Sequence, residues 1–425
     1  MKSTVRPHIV VAGGGFAGLQ FIKRIDRKKF RITLIDQNNY NAFSPLFYQV
    51  ASSGLEPASI CFPFRQELRG KKGIHFHLGR ICRIDRNRRQ ITTENGIIEY
   101  DYLVIATGTG NNFFNINRLQ EKAFTLKSVA EAIRLRNEIL SKLERACLCT
   151  IAEERKTLRP FAVIGGGPSG VEIAGALGEM KKYILKRDYP ELSPTEVRIT
   201  LVEGAARLLR NMHPYSSKKA QEYLSQLGVE IVLNANMLGY ENEWIQLDGG
   251  NSFRAGTLIW TAGVSGERLN GIPDNAWTRG NRIPVDRHCH SLFDRQIFAI
   301  GDIASMSDEK YPNGHPQVAP VAIQQARYLA DLMNSGKFGY GFHYHDNGSM
   351  ATIGRNRAVA ELPHASFHGS IAWFCWMFVH LLSLLGMRNK AATLMNWIWN
   401  YFTYNSSLRL LIRPTRYPNG DKNNQ

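Results

Sequence analysis

Apolar and polar positions fall in blocks that read as a layered α/β chain. Residues 9–12 form an unbroken apolar run entering a glycine-rich stretch, HIVVAGGGFAG over 8–18. Leu19, Phe21, Ile22 and Ile25 then recur at helical intervals. A second apolar run, 31–35, ends in Asp36. Short runs around 74–78, 80–84 and 89–92 predict strands, as does 102–106, which ends in Ala106-Thr107-Gly108. Residues 128–148 carry apolar side chains at helical spacing and predict a linking helix. The opening pattern then returns: a strand at 161–164, glycines within 165–170, a helix to about 186, and a strand at 197–202 ending in Glu203. Further strands are predicted at 258–263 (LIWTAG) and 296–300, the latter entering Gly301-Asp302, with a helix over roughly 318–334. Between 37 and 63 turn residues sit beside Tyr40, Phe43, Phe47 and Tyr48; this predicts an irregular loop that either lines a flat ligand or packs on its own aromatics.

The two glycine loops carry the first chemical information. Gly13, Gly15 and Gly18 have GxGxxG spacing between a strand and a helix. The first glycine permits a tight turn, the second lets backbone approach a pyrophosphate, and the third lets helix pack close on strand. The helix N-terminus adds unpaired N–H groups and a partial positive charge. Asp36, eighteen residues after Gly18, can accept from both hydroxyls of an adenosine ribose. Gly165, Gly167 and Gly170 repeat the device 152 residues later, with Glu203 in the place of Asp36. An internal duplication explains this, and two such units imply two dinucleotides. Asp302 reads equally as a ligand for a sugar hydroxyl and as a helix cap.

Composition narrows the class. With 425 residues the chain has room for two or three domains, and a net charge of +17 suits an anionic membrane surface, an acidic substrate or simple solvation. No zinc finger, RNA-recognition motif or continuous basic run accompanies the charge, which argues against nucleic acid. Six cysteines at 61, 82, 147, 149, 289 and 375 lack CxxC or CxxxxC spacing, so neither a disulfide framework nor a zinc site is expected. The histidines at 288, 290, 343 and 345 lack metal spacing and read as ordinary polar residues; no metal is expected. Glycines interrupt the first apolar run, so it reads as a strand and not as a signal peptide.

The C-terminal part is different. Residues 371–387 are apolar except for His380 and Ser383, Arg388-Asn389-Lys390 interrupts, and 391–404 follows. There Leu394, Trp397, Ile398, Tyr401 and Phe402 share one helical face, and Thr393, Asn396, Asn400 and Thr403 the other. From Lys337 onward nine basic and three acidic residues give a net +6. Two helices lying in a membrane interface fit this pattern; a homodimer interface or buried core helices are the other readings.

Taken together, the stretches GGGFAG (13–18), FSPLFYQVASSGLEP (43–57), YLVIATG (102–108), VIGGGPSGVEIAGAL (163–177), TLVEG (200–204), LIWTAGV (258–264), FAIGD (298–302), VAPVAIQQ (318–325) and WNYFTY (399–404) span almost the whole chain. They resemble, in order, the type II NADH dehydrogenases, two-dinucleotide-binding flavoproteins. The resemblance implies two Rossmann-like domains, for FAD and NADH, and a C-terminal amphipathic membrane-anchoring region. Their expected bounds are 1–112 with 286–336, 113–285, and 337–425. It implies that Gly13, Gly15, Phe16, Ala17, Gly18 and Asp36 hold the ADP half of FAD. Ala106, Thr107, Gly108 and Asp302 would flank that cofactor, and backbone near Ala319 would meet its isoalloxazine. Gly165, Gly167, Gly170, Glu203, Ala262 and Gly263 would hold NADH. A carboxylate at Glu203 repels a 2′-phosphate, which favours NADH over NADPH.

Glu172, two residues past the last glycine, reads locally as a carboxylate favoured by the helix dipole. The resemblance places it near the nicotinamide, on a proton route to the acceptor. Many relatives start a later helix with Ala-Gln-x-Ala-x-Gln; here Ala319-Pro320-Val321-Ala322-Ile323-Gln324 leaves Gln324 as the glutamine expected to meet a quinone. The implied activity is NADH:quinone oxidoreduction without proton pumping, peripheral on the cytoplasmic face of the inner (plasma) membrane, with a membrane quinone as acceptor. A membrane-associated, NADH-responsive binding flavoprotein and a soluble electron-carrier reductase are the alternatives.

Overall fold

The computed structural model describes residues 6–151, 155, 158, 160–337, 339–403 and 408–412, and divides the chain into two compact units. The first unit comprises 1–42, 61–112 and 263–348, and the second 43–60, 113–262 and 349–425.

The apolar run at the start of the first unit becomes strand His8–Ala12, buried along its whole length at the centre of a six-stranded sheet. It pairs in parallel with Arg31–Asp36 on one side and Tyr102–Ile105 on the other. Ile74–Leu78 and Asp294–Ala299 extend the parallel order outward, and His290–Ser291 closes one edge antiparallel. Central parallel strands are covered on both faces, which is why Ile9, Val10 and Val11 are all apolar. Helix Phe16–Arg24 and helix Ala319–Ser335 pack against each other, and Arg24 forks onto Asp331 at 2.6 and 2.8 Å. Strands Ile81–Asp85, Gln90–Thr93 and Gly96–Glu99 make a separate antiparallel sheet.

The second unit repeats the scheme with four parallel strands in the order Val229–Val232, Ile199–Val202, Phe161–Ile164, Thr257–Trp260. The linking helix is Val129–Leu148. Ser128 accepts from the Glu131 N–H, and the Glu131 carboxylate accepts from the Ser128 N–H, a reciprocal cap that starts the helix there. Helix Pro168–Glu179 continues through a turn of π-helix, Met180–Ile184. It packs closely on strand Ser349–Gly354, where a Cβ on Gly175 would overlap the Ile353 carbonyl oxygen.

The structure differs from the sequence expectation in three places. Segment 43–60 is not irregular: it forms helices Phe47–Ala51 and Pro57–Ile60, and Phe47 and Tyr48 are buried in the second unit. The expected boundary at 337 does not separate an anchor. Residues 349–368 form a three-stranded antiparallel sheet (Ser349–Gly354, Arg357–Leu362, Ala365–His368) that joins the second unit, and 263–348 lies with the first.

The last two helices are Gly369–Ser383 and Met387–Thr403, so Arg388-Asn389-Lys390 begins the second helix and does not break it. The second helix turns most of its apolar face outward, as a helix lying in an interface would, and its small polar residues inward; Trp397, from the apolar face, is buried. Thr393 is 0% exposed and Asn389 is buried, whereas Phe402 is 78% exposed and Leu394, Ile398 and Trp399 face outward. Among the described residues no helix is long and apolar enough to cross a membrane.

Candidate functional site

Each glycine loop is built by the same three contacts. In the first, Gly13 sits at φ +102° with its Cα hydrogens against the Ala106 carbonyl, where a Cβ would come to 2.5 Å. A Cβ on Gly18 would overlap the Gly13 carbonyl oxygen, while the space in front of Gly15 is open. In the second, Gly165 at φ +110° lies against Ala262, where a Cβ would come to 2.6 Å from the Ala262 Cα. Gly170 has no room beyond the Gly165 carbonyl oxygen, and Gly167 again faces open space. The first and third positions are closed by backbone and the middle one is bare, which suits a pyrophosphate arriving at the helix N-terminus.

The acids repeat the symmetry. Asp36 accepts from the Gly14 N–H at 2.7 Å and the Asn38 N–H at 2.8 Å, and Glu203 accepts from the Gly166 N–H at 2.5 Å and the Ala205 N–H at 2.8 Å. Each carboxylate is thus fixed at its strand end by the middle of its own loop. Phe16 and Ala17 open the helix after the first loop, and Ala17 is buried. Ala106, Thr107 and Gly108 follow strand Tyr102–Ile105. Asp302 lies in the turn Gly301–Ile303, where its carbonyl accepts from Gln317 at 3.1 Å and its carboxylate from Thr109 at 3.5 Å. Ala319 begins helix Ala319–Ser335. Ala262 ends the second unit's segment and Gly263 begins the first unit's. The open middle glycines and the two anchored carboxylates are compatible with adenine dinucleotides at both loops.

Within the second unit lies a cavity of about 150 Å³ that opens to solvent on one side. Tyr48 and Gln49 come from helix Phe47–Ala51, Glu172 and Glu179 from helix Pro168–Glu179, Thr352 and Arg355 from the C-terminal sheet and the residue after its first strand, and Trp376 and Trp397 from the last two helices. Glu172 and Glu179 are two helical turns apart, so both face the same space. Glu172 is one residue beyond the first turn and is buried. Burial pushes its carboxyl up to about 8; the Thr352 N–H and the Trp376 indole oppose this but do not prevail. Desolvation is the largest influence on Glu172, which lies outside the first helical turn where the dipole acts most strongly. Glu179 is also held above the usual carboxylate range by burial, opposed by the Arg355 N–H at 2.6 Å and by the Arg355 and Arg357 charges. His380 stacks on Trp376 with ring centroids 4.0 Å apart, and burial lowers it to about 4. At neutral pH the cavity holds a protonated acid among aromatic walls, and the imidazole stacked on Trp376 is neutral.

Gln324 does not belong to this cavity. Its NH2 donates to the His345 carbonyl at 2.8 Å, and its oxygen accepts from the His345 N–H at 3.0 Å. Both ends of the amide are occupied in the first unit. Conversely, sequence reasoning missed Gln49, Glu179, Arg355 and Trp376. The seven-residue spacing of Glu172 and Glu179, two helical turns, is a local signal that could have placed Glu179 on the same face.

The chain matches the model of the pyridine nucleotide-disulphide oxidoreductase family over residues 7–326 and the NDH2 C-terminal domain over 346–404. It is 33% identical to the type II NADH:quinone oxidoreductase Ndh of Mycobacterium tuberculosis, over 92% of this chain and 87% of that protein. It is 28% identical to the mitochondrial internal alternative NAD(P)H-ubiquinone oxidoreductase A1 of Arabidopsis thaliana, over 94% and 85%. NDH2 from Plasmodium falciparum, solved in complex with NADH, superposes with a TM-score of 0.88 at 23% identity, over 96% of this chain and all of that one. The sulfide:quinone oxidoreductase of Aquifex aeolicus shares the fold with a TM-score of 0.72, at 20% identity over 93% and 95%.

The raised Glu172 carboxyl has a measurable consequence for stability. Unfolded, the group ionises near 4.5; folded, it keeps its proton to about 8. The folded state binds more protons between these values, so this contribution is fully present below 4.5 and is lost as pH rises toward 8. Glu172→Gln should remove that slope. In denaturation at pH 5 and pH 8, the variant should gain on the parent by about 1–3 kcal/mol at the higher pH. An unchanged difference would mean that Glu172 titrates normally.

Proposed function

The chain belongs to the type II NADH:quinone oxidoreductases, and on that premise we propose how its residues divide the work. FAD binds on the first unit at Gly13, Gly15, Gly18 and Asp36, with Ala106, Thr107, Gly108 and Asp302 around it. NADH binds on the second at Gly165, Gly167, Gly170 and Glu203, with Ala262 and Gly263 beside it. When bound, FAD supplies the two-electron chemistry between nicotinamide and quinone. The protein supplies position, exclusion of water and protons. Glu203, held by the Gly166 and Ala205 N–H groups, accepts from the ribose and leaves no room for a second negative charge.

The observation that carries the acceptor assignment is the cavity. Trp373, Trp376, Trp397 and Tyr401 give flat apolar walls, and Glu172 keeps a transferable proton at neutral pH. A quinone ring fits between such walls, and Glu172 can give its proton to a reduced quinone oxygen and regain one from solvent. Glu172 is the acceptor-side residue of this cavity, and Gln324 belongs to the first unit.

The outward apolar faces of the last two helices support membrane association. Ile371, Phe374, Phe378 and Leu382 on one helix and Leu394, Ile398, Trp399 and Phe402 on the next are exposed, and Arg388 begins the second helix among them. Apolar side chains flanked by basic groups suit an anionic leaflet. The cytoplasmic face is the side where NADH is available. A homodimer through these faces is the competing use.

Three outcomes test this reading. Under anaerobic conditions NADH should bleach the flavin of the purified protein, and a short-chain quinone should restore its colour; a stable reduced complex that ignores quinone would overturn the function. Glu203→Ala should narrow the preference for NADH over NADPH, in kcat/KM, by about tenfold, ~1.4 kcal/mol. Replacing Phe374, Phe378, Trp399 and Phe402 together by Glu should release the protein from anionic liposomes while NADH oxidation by a soluble dye persists. Retained liposome binding would favour the dimer.

A further inference from the structure

One wall of the cavity contains a hydrogen-bond chain whose direction is set by donor and acceptor chemistry alone. Trp397 Nε1 donates to Gln49 Oε1 at 2.8 Å. An indole nitrogen can only donate, so the Gln49 amide has one orientation: oxygen toward Trp397, NH2 toward Tyr48. The Gln49 NH2 donates to the Tyr48 hydroxyl oxygen at 2.7 Å. Tyr48 therefore accepts at its oxygen and must give its own proton elsewhere. Among the described residues no side chain or backbone oxygen takes it. Burial and the neighbouring Glu172 hold the hydroxyl firmly protonated. Trp376 Nε1, 1% exposed and on the same cavity, reaches only the Glu172 carboxyl, outside ordinary hydrogen-bond geometry. An unmet hydroxyl donor beside a poorly met indole N–H at one buried surface marks a place where an acceptor atom of a ligand belongs.

We propose that Trp397, acting through Gln49, holds the Tyr48 hydroxyl as a committed donor to a carbonyl oxygen of the quinone, so that the cavity prefers the oxidised acceptor to its reduced product. The inference rests on the assignment of this cavity to the quinone. A quinone carbonyl only accepts, and meets donors at Tyr48 and Trp376. The quinol brings its own O–H, which needs an acceptor; the donors on this wall offer none, and the oxygens of the protonated Glu172 carboxyl are already approached by the Thr352 N–H and the Trp376 indole. A wall of donors thus binds substrate and releases product. Trp397 and Gln49 are positioning residues, since they act through the orientation of Tyr48. Gln49 could otherwise turn its amide over and accept from Tyr48, which would remove the donor from the cavity.

The test uses the full-length, FAD-loaded protein in detergent. A short-chain benzoquinone and its hydroquinone are titrated separately without oxygen, and binding is followed by quenching of tryptophan fluorescence. The parent should bind the quinone more tightly than the hydroquinone. Tyr48→Phe should weaken quinone binding about fivefold and hydroquinone binding less, so the preference shrinks. Trp397→Phe keeps the ring in place but removes its N–H; it should act in the same direction, and add nothing in the Tyr48→Phe background. Equal loss from Trp397→Phe with and without the Tyr48 hydroxyl, or an unmoved quinone-to-hydroquinone ratio in both single variants, would overturn the inference. Ala176→Phe, which fills the cavity, separates the two levels. If it abolishes quinone binding while the ratio stays unmoved in the single variants, only the hydrogen-bond chain is refuted. If quinone still binds to it, the cavity assignment fails and the inference with it.

Discussion

The arrangement depends on the absence of two side chains. A Cβ on Gly18 or on Gly170 would collide with the carbonyl oxygen of the first glycine in its own loop, so only glycine lets each helix start directly on the end of its strand. That approach aims the helix N-terminus, with its unpaired N–H groups, at the space where an anion can sit. It also sets the direction of everything the helix carries farther along. In the second unit the consequence reaches past the nucleotide. The rigid segment Pro168–Glu179 presents the loop at one end and Glu172 and Glu179 along its flank. The nucleotide cradle and the aromatic cavity are therefore parts of one element.

The cavity itself is a case of deliberate desolvation. Two carboxyl groups, a tyrosine and a histidine are buried among tryptophans, and each is moved toward its neutral form. Burying a charge is costly, and neutralisation is the cheaper course when no full counter-charge is at hand. Glu179 illustrates the intermediate situation, with the Arg355 N–H and guanidinium nearby and its shift opposed accordingly. Glu172 has no such cation, and its shift is large. A proton stored on a buried acid at neutral pH follows from packing alone.

The last helix shows how tertiary context decides which face of an amphipathic pattern meets the protein. Its small polar side chains face the protein: the Thr393 hydroxyl lies 3.5 Å from the Ser59 carbonyl, and the Asn400 amide donates to the Gly54 carbonyl at 3.2 Å. Helices Phe47–Ala51 and Pro57–Ile60 are short, and the carbonyl groups at and beyond their ends need donors. The inward polar face supplies them, and the bulky apolar face is left outside, where only an apolar environment or another protein surface can cover it.

From the sequence alone came the duplicated strand–glycine–helix units, the acids that end their second strands and the linking helix over 128–148. These are local matters: strand and helix periods and glycine contacts between neighbours in the chain operate within one window of sequence. The tertiary structure decided that segment 43–60 is helical and buried, that 349–403 completes the second unit, that Gln324 is occupied by His345, and that the last helix turns its polar face inward. It alone brought Tyr48, Glu172, Arg355, Trp376 and Trp397 around one space. Residues separated by hundreds of positions share no periodicity, and their meeting is fixed by long-range packing and by the demand that every buried polar group find a partner.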